Sequence, residues 1–270
     1  MSSTGLKRKK NDKFYTNPGV VEKCISAIKE HLHTDNPIII EPSAGNGAFI
    51  QHIKSLTETF AFYDIEPEHD EIIGANFLDL DLCVFNQDKP IWFIGNPPFG
   101  RQSSLAIRFI KKCSEVADFI CFILPSSFKK DSMQKHFPTN FHLISEHDIA
   151  DNGFSIEEKP YDVPCVFQIW RKCKLPRKMP PKLFANGFSF VKKNQQPDIA
   201  FRRVGVYAGN IYPDTEDKSE QSHYFIRFDR PCKVSDLINK LKDINYPSNN
   251  TVGPKSISKQ ELIYQFNKLI

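Results

Sequence analysis
The sequence predicts a doubly wound, Rossmann-like α/β sheet followed by a small basic α+β region. Three observations predict it. Short, apolar, largely β-branched or aromatic runs alternate with segments of helical period through the first 172 residues, a grammar that builds mainly parallel sheets. The runs lack the alternation of a half-exposed strand, so both sheet faces are covered. After Lys172 the alternation gives way to short strand-like pieces and two helical stretches.

Asn17-Pro18-Gly19 opens a first helix, with Val20, Val21, Cys24, Ile25, Ile28 and Leu32 recurring at three and four. Residues 38–40, three isoleucines, form a buried strand of parallel type. Pro42-Ser43-Ala44-Gly45-Asn46-Gly47 turns the chain into a helix with Phe49, Ile50, Ile53 and Leu56 on one face. Residues 60–65 read as the next strand, 68–73 as a short helical turn and 76–78 as a brief strand. A strand at 91–95 ends in Asn96-Pro97-Pro98-Phe99, and Leu105, Ile107, Phe109 and Ile110 belong to the helix beyond it. Residues 119–124 form a strand, 127–136 a helix, and 141–149 and 165–170 two late strands. Further strands are expected at 187–192, 200–207 and 223–229, with helices at 234–243 and about 258–268.

Residues 1–12 read as a flexible basic arm with Lys7, Arg8, Lys9 and Lys10. Residues 13–172 form the α/β domain. Residues 173–270 form a separate basic region, entered through Pro176, Pro180 and Pro181. The chain of 270 residues, 40% hydrophobic and 25% charged, has ordinary globular composition, which excludes wholesale disorder, collagen and a coiled coil. No run approaches the roughly 18 apolar residues of a membrane span. The basic start lacks the apolar stretch of a signal peptide. Seven scattered cysteines without a CxxC pair, and eight histidines without HExxH, argue against a disulfide framework and a metal site. They suggest a reducing, intracellular compartment. Charge is uneven. Residues 1–170 hold 17 Lys and Arg against 23 Asp and Glu, net −6, whereas residues 171–270 hold 19 against 9, net +10. An acidic body with a basic tail region suggests a polyanion partner, and lysines that merely solubilise a face account for it equally well.

In an open α/β sheet, ligands bind beyond the carboxyl ends of the strands, and three such ends carry unusual residues. In Glu41-Pro42-Ser43-Ala44-Gly45-Asn46-Gly47-Ala48-Phe49, two glycines let the chain turn sharply and a ligand approach the backbone. A tight strand–helix turn asks for the same glycines. There is no GxGxxG and no Walker lysine, and Glu41 repels a diphosphate and suits a cationic or amine-bearing ligand. Asp64-Ile65-Glu66 closes the next strand. An acid there accepts from ribose hydroxyls and Ile65 can flank an adenine ring, while a solvated loop acid is the plainer alternative. In Asn96-Pro97-Pro98-Phe99 the prolines fix the backbone and leave carbonyls that join no helix. The Asn96 side-chain carbonyl and the Pro97 carbonyl can both accept from one exocyclic amino group. Such a pair orients the nitrogen lone pair and stabilises the positive charge that grows as nitrogen attacks. Phe99 offers a ring for a planar base, or else caps a proline-rich turn as a core residue.

In this order the segments resemble the amino-group methyltransferases that use S-adenosylmethionine, in particular the adenine-N6 DNA methyltransferases whose cofactor motif precedes the catalytic one. Phe14-Tyr15-Thr16-Asn17-Pro18 resembles their N-terminal cofactor motif, Glu41 to Phe49 the glycine-rich motif, and Asp64-Ile65-Glu66 the ribose motif. Asn76-Phe77-Leu78 resembles the motif that holds the cofactor adenine, and Asn96-Pro97-Pro98-Phe99 the catalytic tetrapeptide. The resemblance covers about residues 13–172. Two positions depart from it: Asn76 stands where Asp is frequent, and Phe99 where many DNA enzymes carry Tyr. The Phe ending is shared with RNA adenine methyltransferases.

The resemblance implies a class I methyltransferase sheet, S-adenosylmethionine as cofactor, S-adenosylhomocysteine as product, and no metal. It implies cofactor contacts from Tyr15, Thr16, Glu41, Ser43, Gly45, Gly47, Asp64, Ile65, Asn76, Phe77 and Asn96, and catalysis by Asn96, Pro97, Pro98 and Phe99. A second aromatic, from the loop between the last two strands, would clamp the target base. Phe154, following Gly153, is preferred to Tyr161, and a core role for Phe154 stands beside that. The implied reaction is methyl transfer to N6 of adenine in DNA after base flipping. RNA adenine is the alternative. Cytosine N4 and a protein glutamine amide are further acceptors, and a catalytically dead nucleic-acid-binding module is the non-enzymatic reading. The partner is nucleic acid, DNA before RNA, and not a membrane. From the residues themselves, Lys192, Lys193, Arg202 and Arg203, the last two near Tyr207, are candidate phosphate contacts, though each is also an ordinary surface charge.

Overall fold
The computed structural model describes residues 14–31, 36–85, 88–149, 153–156, 159–161, 163–229, 234–242, 244, 246 and 255–270. The expected basic arm, Leu32, Asp151, Asn152 and Cys232 fall outside them. The chain forms two compact units, Met1–Met179 and Pro180–Ile270. The sequence grammar changes somewhat earlier, at Lys172.

In the first unit the strands in chain order are β1 (Tyr15–Thr16), β2 (Ile38–Glu41), β3 (Thr59–Asp64), β4 (Ile73–Gly74), β5 (Ile91–Gly95), β6 (Phe119–Pro125), β7 (Phe141–Asp148), β8 (Phe154–Ile156), β9 (Lys159–Tyr161) and β10 (Cys165–Lys172). Its helices are α1 (Pro18–His31), α2 (Ile50–Lys54), α3 (Ser104–Cys113) and α4 (Asp131–Gln134). Seven strands make one sheet in the order β4-β3-β2-β5-β6-β10-β7. The five from β4 to β6 run parallel, and β10 runs antiparallel between β6 and β7. Every residue of β2 and β5 is buried, so both faces of the sheet centre are covered, as the unbroken apolar runs required. This is the expected Rossmann-like α/β architecture. Strand order reverses between β2 and β5, with β3 and β4 on one side and β6 onward on the other.

α1 begins with Pro18 at its first helical position, where the missing N–H is harmless, and buries Val20, Val21, Cys24, Ile25 and Ile28. Gln168 in β10 is fully buried but paired throughout. Its Nε2 donates to the Phe128 carbonyl at 3.1 Å and Glu146 Oε2 at 2.7 Å, and its Oε1 accepts from Trp170 Nε1 at 3.0 Å. The described cysteines 24, 83, 113, 121, 165 and 173 are free thiols. Among the described residues no helix is long and apolar enough to cross a membrane.

Residues 69–72 do close a single turn, with the Ile72 N–H donating to the His69 carbonyl at 3.0 Å, and it leads into β4, which pairs with Tyr63 and Asp64. Three expectations fail locally. Residues 76–78 are not a strand, because the Asn76 side chain caps the Leu78 N–H and starts a 3-10 turn at Phe77–Asp79. The helix expected at 127–136 is broken at Lys130, whose backbone is extended (φ −89°, ψ 140°). This lets Phe137 stack on Trp170 at 4.0 Å. The strand expected at 200–207 stops at Arg202, where a turn begins. The β8–β9 hairpin, which pairs β8 with β1, was not foreseen.

The second unit holds β11 (Phe188–Val191), β12 (Ile199–Arg202), β13 (Ile211–Tyr212), β14 (His223–Phe228), α5 (Val234–Lys242) and α6 (Lys259–Phe266). Its antiparallel sheet has the order β11-β14-β12-β13. A core of its own includes Phe188, Ile199, Phe201, Ile226, Leu262 and Phe266. Ser258 and Glu261 close a capping box at the start of α6. This is the expected α+β region.

Arg177 fixes the last segment of the first unit without any carboxylate. Its Nη1 donates to the carbonyls of Pro138 and Phe141, both at 2.6 Å, and its Nη2 to those of Gln134 and Phe137 at 2.8 and 2.9 Å. The guanidinium also lies over Trp170, 5.2 Å from the ring centroid. Only a planar fork reaches four acceptors at once. Arg177→Ala is expected to lower unfolding stability by about 2–4 kcal/mol, with Arg177→Lys recovering less than half. Urea titration measures both, and equal stabilities for Lys and Arg would refute the fork argument.

Candidate active site
Strands β2, β3 and β5 end at Glu41, Asp64 and Gly95, so they deliver these residues to one end of the sheet at its point of reversal. A cavity of about 610 Å³ opens there. Ser43 and Gly45 line it after β2, Asp64 and Ile65 at the end of β3, and all of Asn96-Pro97-Pro98-Phe99 after β5. Tyr15, Asn76 and Phe77 are also on its wall. Thr16, Glu41, Gly47 and Phe154 are not.

The loop after β2 is shaped for close approach. Gly45 (φ 54°) has no atom within 4 Å of where a Cβ would stand. Gly47 (φ 82°) serves the fold instead, since a Cβ there would lie 2.6 Å from Ile50 Cδ1. Asp64 ties the loop down: Oδ2 accepts the Gly45 N–H at 2.8 Å and Oδ1 the Glu66 N–H at 2.9 Å. Each oxygen keeps a lone pair for a ligand hydroxyl. Ile65, 72% exposed, stands beside it. Across the wall, Phe77 stacks on Phe109 of α3 at 6.0 Å. The exposed Asn76 bonds Leu78 and Asp79.

Glu41 is 2% exposed and its Oε2 has no hydrogen-bond partner among the described residues. Burial first, and the Asp64 charge second, push its carboxyl well above the ordinary value near 4.5. A Cβ on Gly95 would stand 3.2 Å from Glu41 Cγ, so the two pack side by side, each one residue before a cavity-lining position.

Asn96 is oriented by the start of the chain. Its Nδ2 donates to Thr16 Oγ1 at 3.3 Å and to the Phe14 carbonyl at 3.5 Å, and its backbone carbonyl accepts from Ser43 Oγ at 3.4 Å. This commits the amide nitrogen and leaves Oδ1 to accept. Tyr15 donates to Glu68 Oε1 at 2.8 Å. The Phe99 carbonyl receives the Leu105 N–H at 3.1 Å, and its ring stacks against Phe14 at 6.2 Å and 28°. Gly100, Gln102 and Ser103 all have left-handed φ (67°, 53° and 61°), a costly turn for two non-glycines. A Cβ on Gly100 would stand 2.8 Å from Leu105 Cγ.

Phe154 is not the clamp that was preferred and takes the core role that stood beside it. It pairs opposite Thr16 within the β1–β8 ladder and is 1% exposed, so its ring lies in the core and off the cavity wall. Phe14 is the aromatic that faces Phe99. In the second unit Arg202 turns inward, donating from Nε to the Val204 carbonyl at 2.8 Å and from Nη1 to Ser222 Oγ at 3.0 Å. Arg203 donates to the Gln221 carbonyl and lies over Tyr224. Lys192 is exposed and Lys193 half-buried at a turn after β11. Phe14, which stands in the N-terminal cofactor motif without a contact expected of it, is on the cavity wall, as are Arg101 and Arg108, which no motif named. Among the described residues, no group of three or more His, Cys, Asp or Glu is arranged to hold a metal ion.

No protein-family model matches the chain. Over 186 residues it is 24% identical to modification methylase CviBIII of Paramecium bursaria Chlorella virus NC1A, covering 56% of this chain and 49% of that protein. The chain thus spans about half the length of this curated relative. The resemblance carried by the motifs is met here by a modification methylase. Among solved structures, a protein of Listeria monocytogenes provisionally described as a class I S-adenosylmethionine-dependent methyltransferase overlaps with a TM-score of 0.47 at 13% identity, covering 67% of this chain and 68% of that one. The 23S rRNA methyltransferase ErmE overlaps at 0.44 and 14% identity, over 61% and 71%.

The Glu41 environment yields a signed expectation. A carboxyl whose folded pKa is raised binds more protons folded than unfolded, so its penalty is absent below its ordinary value and grows as pH rises above it. The ligand-free Glu41→Gln variant should therefore melt higher than the parent at pH 8, with the gap narrowing toward pH 5. A gap independent of pH in calorimetric scans would contradict the buried-carboxyl account.

Proposed function
We propose that this chain moves a methyl group from S-adenosylmethionine to the N6 amino group of adenine in DNA, flipped out of the duplex. The observation that carries the reading is the convergence of Asn96-Pro97-Pro98-Phe99 with the Gly45 loop and Asp64 on one cavity wall. The residues fit the cofactor. An unpartnered buried carboxyl oxygen on Glu41 suits an ammonium group, the open face of Gly45 suits close backbone approach, and the spare lone pairs of Asp64 suit two ribose hydroxyls. Ile65, Asn76 and Phe77 would hold the adenine of the cofactor. When bound, that group supplies a methyl already activated on a sulfonium.

The chain's own part is then mostly placement. Asn96 Oδ1 and the Pro97 carbonyl accept the two N–H bonds of the target amino group. Their hold strengthens as the nitrogen becomes positive, so they favour the transition state over the bound substrate. Extruding a base from a duplex costs a few kcal/mol, which stacking on Phe99 offsets by roughly 1–3 kcal/mol. Phe14 provides the opposite face. A base between two rings needs about 3.5 Å on each side, slightly more than the present 6.2 Å, so Phe14 swings or slides outward on binding. The amino proton leaves to water after transfer.

The Phe ending of the tetrapeptide keeps RNA adenine as the second reading, and the modification methylase among the relatives favours DNA. Tritiated methyl transfer to matched DNA and RNA oligonucleotides, followed by nucleoside mass spectrometry, separates them. It also separates N6-methyladenine from N4-methylcytosine. No transfer to either, with cofactor bound in calorimetry, would overturn the reading.

Two sets of variants test the roles. Asp64→Ala should weaken S-adenosylmethionine binding by about 10-fold or more in calorimetry; unchanged affinity would remove Asp64 from the site. Asn96→Ala should lower kcat by about 100-fold or more with KM little changed. Phe99→Ala and Phe14→Ala should raise KM, and Phe99→Trp should keep much of the activity. If the Asn96 and Phe99 alanine variants fold normally and methylate at the parental rate, the catalytic assignment is wrong.

A further inference from the structure
The second unit exposes two apolar side chains on a turn that is otherwise tightly held. Val206 is 89% and Tyr207 65% exposed, while the backbone around them is bonded throughout. Ala208 N–H donates to Gly205 at 2.9 Å, Asn210 to Tyr207 at 3.1 Å, Gly209 to Arg202 at 2.8 Å, and Gly205 to Lys255 at 2.9 Å. Gly205 (φ 100°) and Gly209 (φ 106°) supply the left-handed corners. Ala208 is buried in the core cluster. The Arg202 guanidinium braces the turn from inside through Val204 and Ser222. Structure is thus spent on presenting Val206 and Tyr207, not on hiding them.

We infer that this turn is a preformed aromatic contact for the bases of the substrate nucleic acid, with Tyr207 as the stacking ring. The inference rests on the nucleic-acid reading above and names the surface that reading lacks. Arg202, one of the four candidate cations, is half-buried, with its Nε and Nη1 bonded to Val204 and Ser222. Arg203 and Lys255 flank the turn in sequence and bonding, and their charges lie over Tyr224 and Tyr246 at 5.4 and 6.0 Å. Residues 180–270 carry 14 Lys and Arg against 9 Asp and Glu, a balance that suits a polyanion. A stable protein partner needs about 800 Å² from each side, far more than two side chains on a narrow turn. A base step needs only one ring face, and Tyr offers a rigid one at little entropic cost.

The test is fluorescence anisotropy of the full chain with labelled DNA and RNA oligonucleotides across a salt series. Tyr207→Ala should weaken binding about 5- to 150-fold without changing the slope of log affinity against log salt, because no phosphate contact is lost. Tyr207→Trp should bind within about 3-fold of the parent on the same stacking argument. Exchanging Lys192 and Lys193 for Ala should flatten the salt slope by up to about 1.8. Tyr207 and Lys192 are exposed and Lys193 is half-buried at a turn, so melting checks folding and should show little change. If the parent binds and Tyr207→Ala binds equally well, this role for the turn is overturned while the methyltransferase reading stands. If the parent binds neither nucleic acid, that reading falls and this one with it. A parental dimer in sedimentation that Tyr207→Ala dissolves, with nucleic-acid affinity unchanged, would assign the turn to self-association and overturn the inference.

Discussion
The site depends on the reversal of strand order between β2 and β5. A parallel sheet buried on both faces must carry the chain across its faces between strands. Where successive crossovers set off in opposite directions, two neighbouring strands release their following loops away from each other, and a crevice opens between them. Ile38 to Ile40 pair with β3 on one side and β5 on the other, so Glu41, Asp64 and Asn96 arrive at that crevice by register alone. No side-chain interaction is needed to bring them together.

Buried polar groups in the first unit fall into two kinds. Gln168 is as buried as Glu41, yet three hydrogen bonds satisfy its amide and fix the β6–β10–β7 edge. Arg177 likewise spends its fork on four backbone carbonyls. Glu41, one residue before the crevice lining, has its Oε2 without a partner among the described residues and its carboxyl held toward the neutral form. Leaving a buried acceptor unmade costs roughly 1–3 kcal/mol. Among the described residues Trp92 Nε1, on β5 at the sheet centre, is likewise buried without a partner, so a missing partner alone does not mark a binding residue.

The N-terminal strand acts on the Asn96-Pro97-Pro98-Phe99 loop from far away in sequence. Thr16 and the Phe14 carbonyl orient the Asn96 amide, and the Phe14 ring faces Phe99. β1 is itself held by β8, through Thr16 opposite Phe154. Phe154 therefore supports the strand that presents Phe14, and its influence on the aromatic face is indirect.

Local pattern alone determined the alternation of strands and helices, the sheet class, the three chemically unusual strand ends and the basic second unit. Ile38 to Ile40 and the 91–95 run have one stable environment, a strand covered on both sides, and glycine and proline fix backbone geometry whatever surrounds them. Short elements were misread where a side chain competes with the backbone, as when Asn76 caps a 3-10 turn in place of a strand. What tertiary structure decided was the direction each side chain faces and its partner. Phe154 and Phe14 are equally aromatic in sequence, yet pairing in the β1–β8 ladder buries one and sets the other against Phe99. Arg202 and Tyr207 sit in one short stretch, yet a turn held by four backbone hydrogen bonds sets the cation, half-buried, against Val204 and Ser222 and leaves the ring in solvent. Sequence spacing encodes period and backbone freedom, whereas burial of a given ring or charge is set by residues tens or hundreds of positions away.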